Sequence, residues 1–168
     1  MDDRRRTEVV FLSLSFTFNP SVVRYKMAFK FEKLEIWQQS LDYLDKIYRV
    51  ANKLPEQERY NLKSQMIRAA TSVNLNIAEG STGQTDAEQA RFLGLALRSL
   101  FETVACLHII HRLNYLNDPE DLRQIYRDAD LLARRITAMR KRLVPEQTWL
   151  REQSPIYQTA QEKATPFD

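Results

Sequence analysis

The residues of this chain that could do chemistry are few. Its two histidines, His108 and His111, stand three apart, so on a helix they could share a metal. No partner ligands stand at a defined spacing from them. Helix bundles that hold two metals use Glu-x-x-His repeats, and this sequence has none. Cys106 is the only cysteine. It lies two residues from His108, and on a helix such neighbours point apart, so they do not form a nucleophile and base. No metal, no cofactor, no catalytic residue and no enzymatic activity are expected.

The remaining candidates are charged or amide side chains. Arg68, Asn76, Glu79 and Glu102 fall in or near apolar segments. Buried charges must be paired, so these four are expected to form a polar network fixing the register of the fold. A small-ligand pocket around Glu79 and Glu102 is the alternative. Near the end of the patterned region stand Arg123, Arg127, Arg134, Arg135, Arg140, Lys141 and Arg142. Arg127, Arg134 and Lys141 share one helical stripe, partly balanced by Asp128 and Asp130. It is either a solvated face or a phosphate-backbone contact made by Arg123, Arg127, Arg134, Arg135 and Lys141. No aromatic RNA-recognition signature accompanies it.

The elements that must position these residues are helices. The chain has 168 residues, 43% hydrophobic and 28% charged, with a net charge of +3, 3 Gly and 6 Pro. That allows one soluble domain with long helices. A lone cysteine excludes an internal disulfide and fits a reducing compartment, so a cytoplasmic location is expected. No apolar run is expected to reach the roughly 18–20 residues a membrane span needs.

The first helix is read over about Lys33–Asn52, with a narrow seam of Leu34, Trp37, Leu41, Leu44, Tyr48 and Ala51. Leu54-Pro55 ends it. Asn61 is expected to cap the second helix, which runs to Glu79 with Leu62, Met66, Ala69, Val73 and Ile77 inward. Gly80 is expected to take the left-handed position beyond its end. Thr85 and Glu88 form a capping box for the third helix, which runs to about Asn114. That helix is apolar on more than one face, and the surplus points to subunit contacts. Asn114 is suited to a left-handed turn. Asp118, Pro119, Glu120 and Asp121 start the fourth helix. Its seam is Leu122, Ile125, Ala129, Leu132, Ile136, Met139 and Leu143. The fold is therefore all-α, an antiparallel up-down-up-down four-helix bundle over residues 27–144.

Both ends differ. Residues 1–26 open with Arg4-Arg5-Arg6 and a short apolar stretch, which imitates a signal peptide. Asp2 and Asp3 dilute the positive start, and no small-residue cleavage site follows. The reading adopted is an upstream extension from a misassigned start, with folding beginning near Met27; a genuine signal peptide is the alternative. Residues 145–168, with Pro155 and Pro166, read as a loose tail.

Several segments occur in a recognisable order: Phe31-x-x-Leu34-x-x-Trp37, Pro55-x-x-Glu58-x-Tyr60-x-Leu62-x-x-Gln65-x-x-Arg68-Ala69-Ala70, Asn76-Ile77-Ala78-Glu79-Gly80, Ser99-Leu100-x-Glu102 and Leu113-x-Tyr115-Leu116. Over about Phe29–Leu143 the chain resembles the bacterial 23S ribosomal RNA intervening-sequence proteins. The resemblance implies an antiparallel bundle and a cyclic homo-oligomer, typically a pentamer. It is also distantly similar to the accessory proteins of diversity-generating retroelements, basic barrels that bind a reverse transcriptase and nucleic acid. The chain departs from the pattern at Asn61 and Asn114, where glycine is usual, at Asn74, where proline is common, at Gly83, where a basic residue is frequent, and at Arg98, where glycine is frequent. The loss at Gly83 weakens phosphate binding by that loop.

Two functions from different classes follow as expectations. The first is a non-enzymatic oligomeric module whose basic surface contacts RNA, DNA or a nucleic-acid enzyme. The second is a structural or protein-partner scaffold with no nucleic-acid affinity.

Overall fold

The computed structural model of the chain describes residues 29–116 and 119–144. The expectations for the N-terminal extension, for the tail after Pro145 and for Asp118 as a cap lie outside the described residues. Four helices carry the fold: α1, Glu35–Lys53; α2, Leu62–Gly80; α3, Asp86–Arg112; and α4, Glu120–Leu143. Short 3-10 turns at Phe31–Lys33 and Glu56–Glu58 precede α1 and α2. Among the described residues there is no strand.

Each helix packs on the next in sequence, and α4 returns to α1. Rising numbers on one helix meet falling numbers on its neighbour. Ser40 of α1 meets Asn74 of α2, Ser72 of α2 meets Ser99 of α3, and Lys46 and Lys53 of α1 meet Asp128 and Asp121 of α4. Those pairings are compatible with an antiparallel up-down-up-down bundle. Helices α1 and α3 are diagonal, joined through the core by the hydroxyls of Tyr43 and Thr103.

The inward stripes of α2 and α4 fall where the apolar spacing puts them. Leu62, Met66, Ala69, Val73 and Ile77 are buried, as are Leu122, Ile125, Ala129, Leu132 and Ile136. The stripe of α1 does not. Its buried residues are Ile36, Ser40, Tyr43, Ile47, Val50 and Ala51, whereas Leu41 is 38% and Tyr48 42% exposed. Two apolar stripes run side by side on α1. The one facing the core is interrupted by Ser40, whose hydroxyl donates to Trp37 O (2.7 Å) and accepts from Asn74 Nδ2 (2.8 Å). A polar residue satisfied on both sides is at home in the core, so the uninterrupted stripe is left at its edge, with Leu34, Trp37 and Leu44 half-buried against it.

The caps also differ from expectation. Asn61 makes no side-chain cap; the Glu58 carboxylate accepts from Leu62 N (3.2 Å) and Asn61 Nδ2 (3.0 Å) instead. An anion at the positive end of α2 is favourable. Gly80 is the last residue of α2 and no glycine has positive φ. Its need is space: a Cβ there would lie 2.8 Å from Phe92 Cβ of α3. Thr85 caps Glu88 N as expected (3.1 Å), but Glu88 reaches back to Gln84 N (3.1 Å). Asn114 has φ of 52°, the left-handed turn its type allows.

Helix α3 is long and apolar enough, by length and composition, to cross a membrane once Arg98 and Glu102 are counted within the window. In the structure it is the central helix of the bundle, with Leu93, Ala96, Leu100, Leu107 and Ile110 buried. Packing on both α2 and α4 accounts for most of its second apolar face. Phe101 and Ile109 stay exposed on α3, as do Leu41 and Tyr48 on α1, so part of the apolar surplus expected on α3 remains uncovered.

Candidate functional site

The four polar residues expected to form one network separate. Glu102 accepts from Gln65 of α2, and Asn76 donates to Ser72 O (2.7 Å) and Ser72 Oγ (3.0 Å). Ser99 Oγ donates to the same Ser72 hydroxyl (2.9 Å), so these groups tie α2 to α3. Arg68 and Glu79 do not join them. Both are exposed, and neither side chain makes a hydrogen bond or ion pair among the described residues. Each sits on the outward side of α2, where water replaces a partner. The second tie is Asn74 to Ser40, between α2 and α1. Amides and hydroxyls placed mid-helix thus mark both seams of α2.

The network that spacing does not reveal is built on Glu58. Its carboxylate caps α2 and accepts from the Tyr115 hydroxyl at 2.7 Å. The bond from Tyr115, then that from Leu62 N, holds the Glu58 carboxyl below its ordinary range, and the same bond raises the Tyr115 phenol. The sequence signal was an acid just before a helix; its partner, 57 residues away, was invisible to local pattern.

The reactive side chains of the described residues lie apart. His108 is exposed and lies edge-on to Tyr126, with ring centroids 6.0 Å apart. Cys106 is buried, and burial pushes its thiol up, away from the reactive thiolate. Among the described residues no three His, Cys, Asp or Glu side chains are grouped to hold a metal. Between α1 and α4 lies an open groove of about 150 Å³, lined by Gln39, Asp42, Tyr43, Lys46, Asp128 and Leu131.

The basic residues of α4 are mostly engaged. Arg127 donates to Glu120 (2.8 Å) and Gln124 (2.9 Å), and Arg134 pairs with Asp130 (2.8 Å). Arg123 lies 3.4 Å from Glu120, and Arg135 pairs with Glu35 of α1. Asp128 does not balance this stripe, because it accepts from Lys46 at 2.6 Å. Only Lys141 of the five makes no ion pair among the described residues. Each exposed pair contributes under about 1 kcal/mol. Opposite charges this close nonetheless cancel one another's field within a Debye length.

The uncovered apolar surface lies elsewhere. Leu41 and Tyr48 are exposed on a three-four stripe of α1 whose other members, Leu34, Trp37 and Leu44, are half-buried against the core, and Phe101 and Ile109 are exposed on α3. Leu75 of α2 is 59% exposed and Leu131 of α4 is 49% exposed. Phe31 stacks edge-on against Trp37 at 4.8 Å, and Trp37 Nε1 is buried without an acceptor among the described residues.

The model of the 23S rRNA-intervening sequence protein family matches residues 32–138. Among solved structures, the chain is similar to a Bacteroides thetaiotaomicron protein of unknown function from the S23 ribosomal protein family. The two share 25% identity with a TM-score of 0.59, over 63% of this chain and 98% of that one. None of the curated proteins matches the chain. The match spans the four helices, from the turn before α1 into the last turns of α4, and the chain belongs to the 23S rRNA-intervening sequence protein family.

Proposed function

We propose that this protein is a non-enzymatic, self-assembling module of the cytoplasm, forming a cyclic homo-oligomer, a pentamer in the arrangement its family resemblance implies. One observation carries the reading: α1 keeps a three-four apolar stripe only partly covered by the core, with Leu41 and Tyr48 exposed along it. A stripe of that spacing is the seam of helix-on-helix packing at a shallow angle, and it suits a helix of another copy. A ring needs a second, different face on the neighbour. The α1–α4 groove with exposed Leu131 at its rim supplies one. The module would then present its remaining surfaces to RNA, DNA or a nucleic-acid enzyme.

The scaffold reading without nucleic acid has its own support. Four of the five basic residues assigned to phosphate on α4 are paired with carboxylates. Sedimentation equilibrium of the full chain tests the common part. A closed oligomer of defined size is expected, and a monomer at all concentrations would overturn both versions.

A further inference from the structure

Among the described residues, three bases without an ion pair share one face of α3. Arg91, Arg98 and Arg112 stand at intervals of seven and fourteen residues, so they lie along one outward ridge with Ala105 between them. At about 1.5 Å per residue the first two are about 10 Å apart and the ridge is about 31 Å long. Neither Arg98 nor Arg112 makes a hydrogen bond or ion pair among the described residues, and Arg91 lies over the Phe92 ring at 4.5 Å. None of the nearby acids pairs with these arginines: Asp130 is paired with Arg134, and Glu102 and Glu88, which keep their charge, accept from Gln65 and Gln84 N. Arg140 lies over Gly94, its guanidinium carbon 3.2 Å from where a Cβ would be, which brings the last turns of α4, where Lys141 makes no ion pair among the described residues, against the first half of α3.

Arg112 alone has a structural explanation, as a cation in the last turn of a helix. Arg98 is mid-helix and has none. Guanidinium groups present two parallel donors that match a phosphate, and a straight row of them suits an extended polyanion better than a single ion. Because α1 and α3 are diagonal across the core, the ridge stays open when copies meet through α1.

We infer that the outward ridge of α3, Arg91, Arg98 and Arg112 with Lys141 at its flank, binds the phosphate backbone of a nucleic acid. The ridge gives the proposed module its polyanion partner on three arginines outside the α4 stripe, with which it shares only Lys141, and it rests on the proposed assembly leaving the outer side of α3 open. The test measures fluorescence anisotropy of the full chain with a labelled 20-base-pair duplex, as RNA and as DNA of the same sequence, across a salt series. Binding should weaken steeply with salt. R98A/R112A should lose at least about tenfold in affinity at low salt and reduce the salt slope by about two. R98K/R112K should keep the slope, and R127A/R134A should bind within about twofold of wild type. Binding of one duplex type and not the other supports the ridge and identifies its source. Unchanged binding by R98A/R112A, loss in R127A/R134A, or equal affinity for polyglutamate overturns it. Sedimentation of the same samples keeps the two ideas apart: loss of binding with the oligomer intact bears on the ridge, and a monomer that still binds bears on assembly.

Discussion

The hydroxyls of Tyr43 and Thr103 lie 2.5 Å apart in the centre of the bundle, joining diagonal helices α1 and α3. Thr103 Oγ1 also lies 2.7 Å from Leu100 O, a carbonyl that can only accept. The single threonine proton goes there, so Tyr43 is the donor to Thr103. The two ends of this bond are therefore unequal. Tyr43→Phe removes a donor and leaves Thr103 bonded to its carbonyl, a loss of about 1 kcal/mol. Thr103→Val strands a fully buried phenol and should cost more, about 1–3 kcal/mol. Denaturant titration of both variants checks the order. Burial also raises the Tyr43 phenol far above its ordinary value of 10.0. The unfolded chain ionises near that value while the folded one does not, so this stability is present below pH 10 and is lost as pH rises. The difference between wild type and Tyr43→Phe should shrink above pH 10.

Glu58 gives the opposite sign. Its carboxylate is held by Tyr115, Leu62 N and Asn61, which lowers its pKa from 4.5 in the folded state. A lowered carboxyl stabilises above its unfolded value and loses that contribution as pH falls. Melting temperature should therefore drop below pH 4.5 in wild type, with a smaller drop in Glu58→Gln and in Tyr115→Phe. At pH 7 both variants should melt lower than wild type, because α2 loses its cap or the cap loses its anchor.

Two turn positions separate space from backbone conformation. Gly80 has no positive φ, and its hydrogen is replaced in Gly80→Ala by a methyl 2.8 Å from Phe92 Cβ. Overpacking of that kind costs about 1–3 kcal/mol, and Phe92→Ala in the same chain, which keeps the clashing Cβ, should not return it. Asn114 is the reverse case, with φ of 52°. Asn114→Ala should cost about 1–2 kcal/mol, while Asn114→Gly should cost less. Thermal denaturation of the four variants distinguishes them.

Much of this architecture was legible because two of the four helices carry one dominant apolar stripe. On α4, Leu122, Ile125, Ala129, Leu132 and Ile136 have no rival face, since the other sides are charged. On α1 two stripes compete, and spacing cannot rank them. Ser40 made the true inner face look polar, and only its bond to Asn74, 34 residues away, makes that face the better one to bury. The candidate residues failed for a related reason. Residue type announces that Arg68, Glu79 and Arg127 are charged; whether each has a partner depends on which helix lies opposite. Glu58 and Tyr115 were written in the sequence as a cap signal and an aromatic, and only folding brings them to 2.7 Å.

The two faces of α1 make the decisive prediction for assembly. Ile47 is fully buried and Leu41 is 38% exposed, although both are aliphatic and both lie on three-four stripes. Ile47→Ala should cost about 2–5 kcal/mol, the usual range for a core truncation. Leu41→Ala should change the stability of an isolated subunit by under about 1 kcal/mol. If the outer stripe is the contact between copies, Leu41→Glu and Tyr48→Glu place a charge in the seam. Both should then sediment as smaller species with an unchanged helical spectrum. Dissociation removes stabilisation by mass action, so their melting temperatures should stop depending on protein concentration, whereas that of wild type should rise with it. An oligomer of unaltered size in both glutamate variants would assign the contact to another face of the bundle, and the stripe on α1 would then be no more than exposed surface.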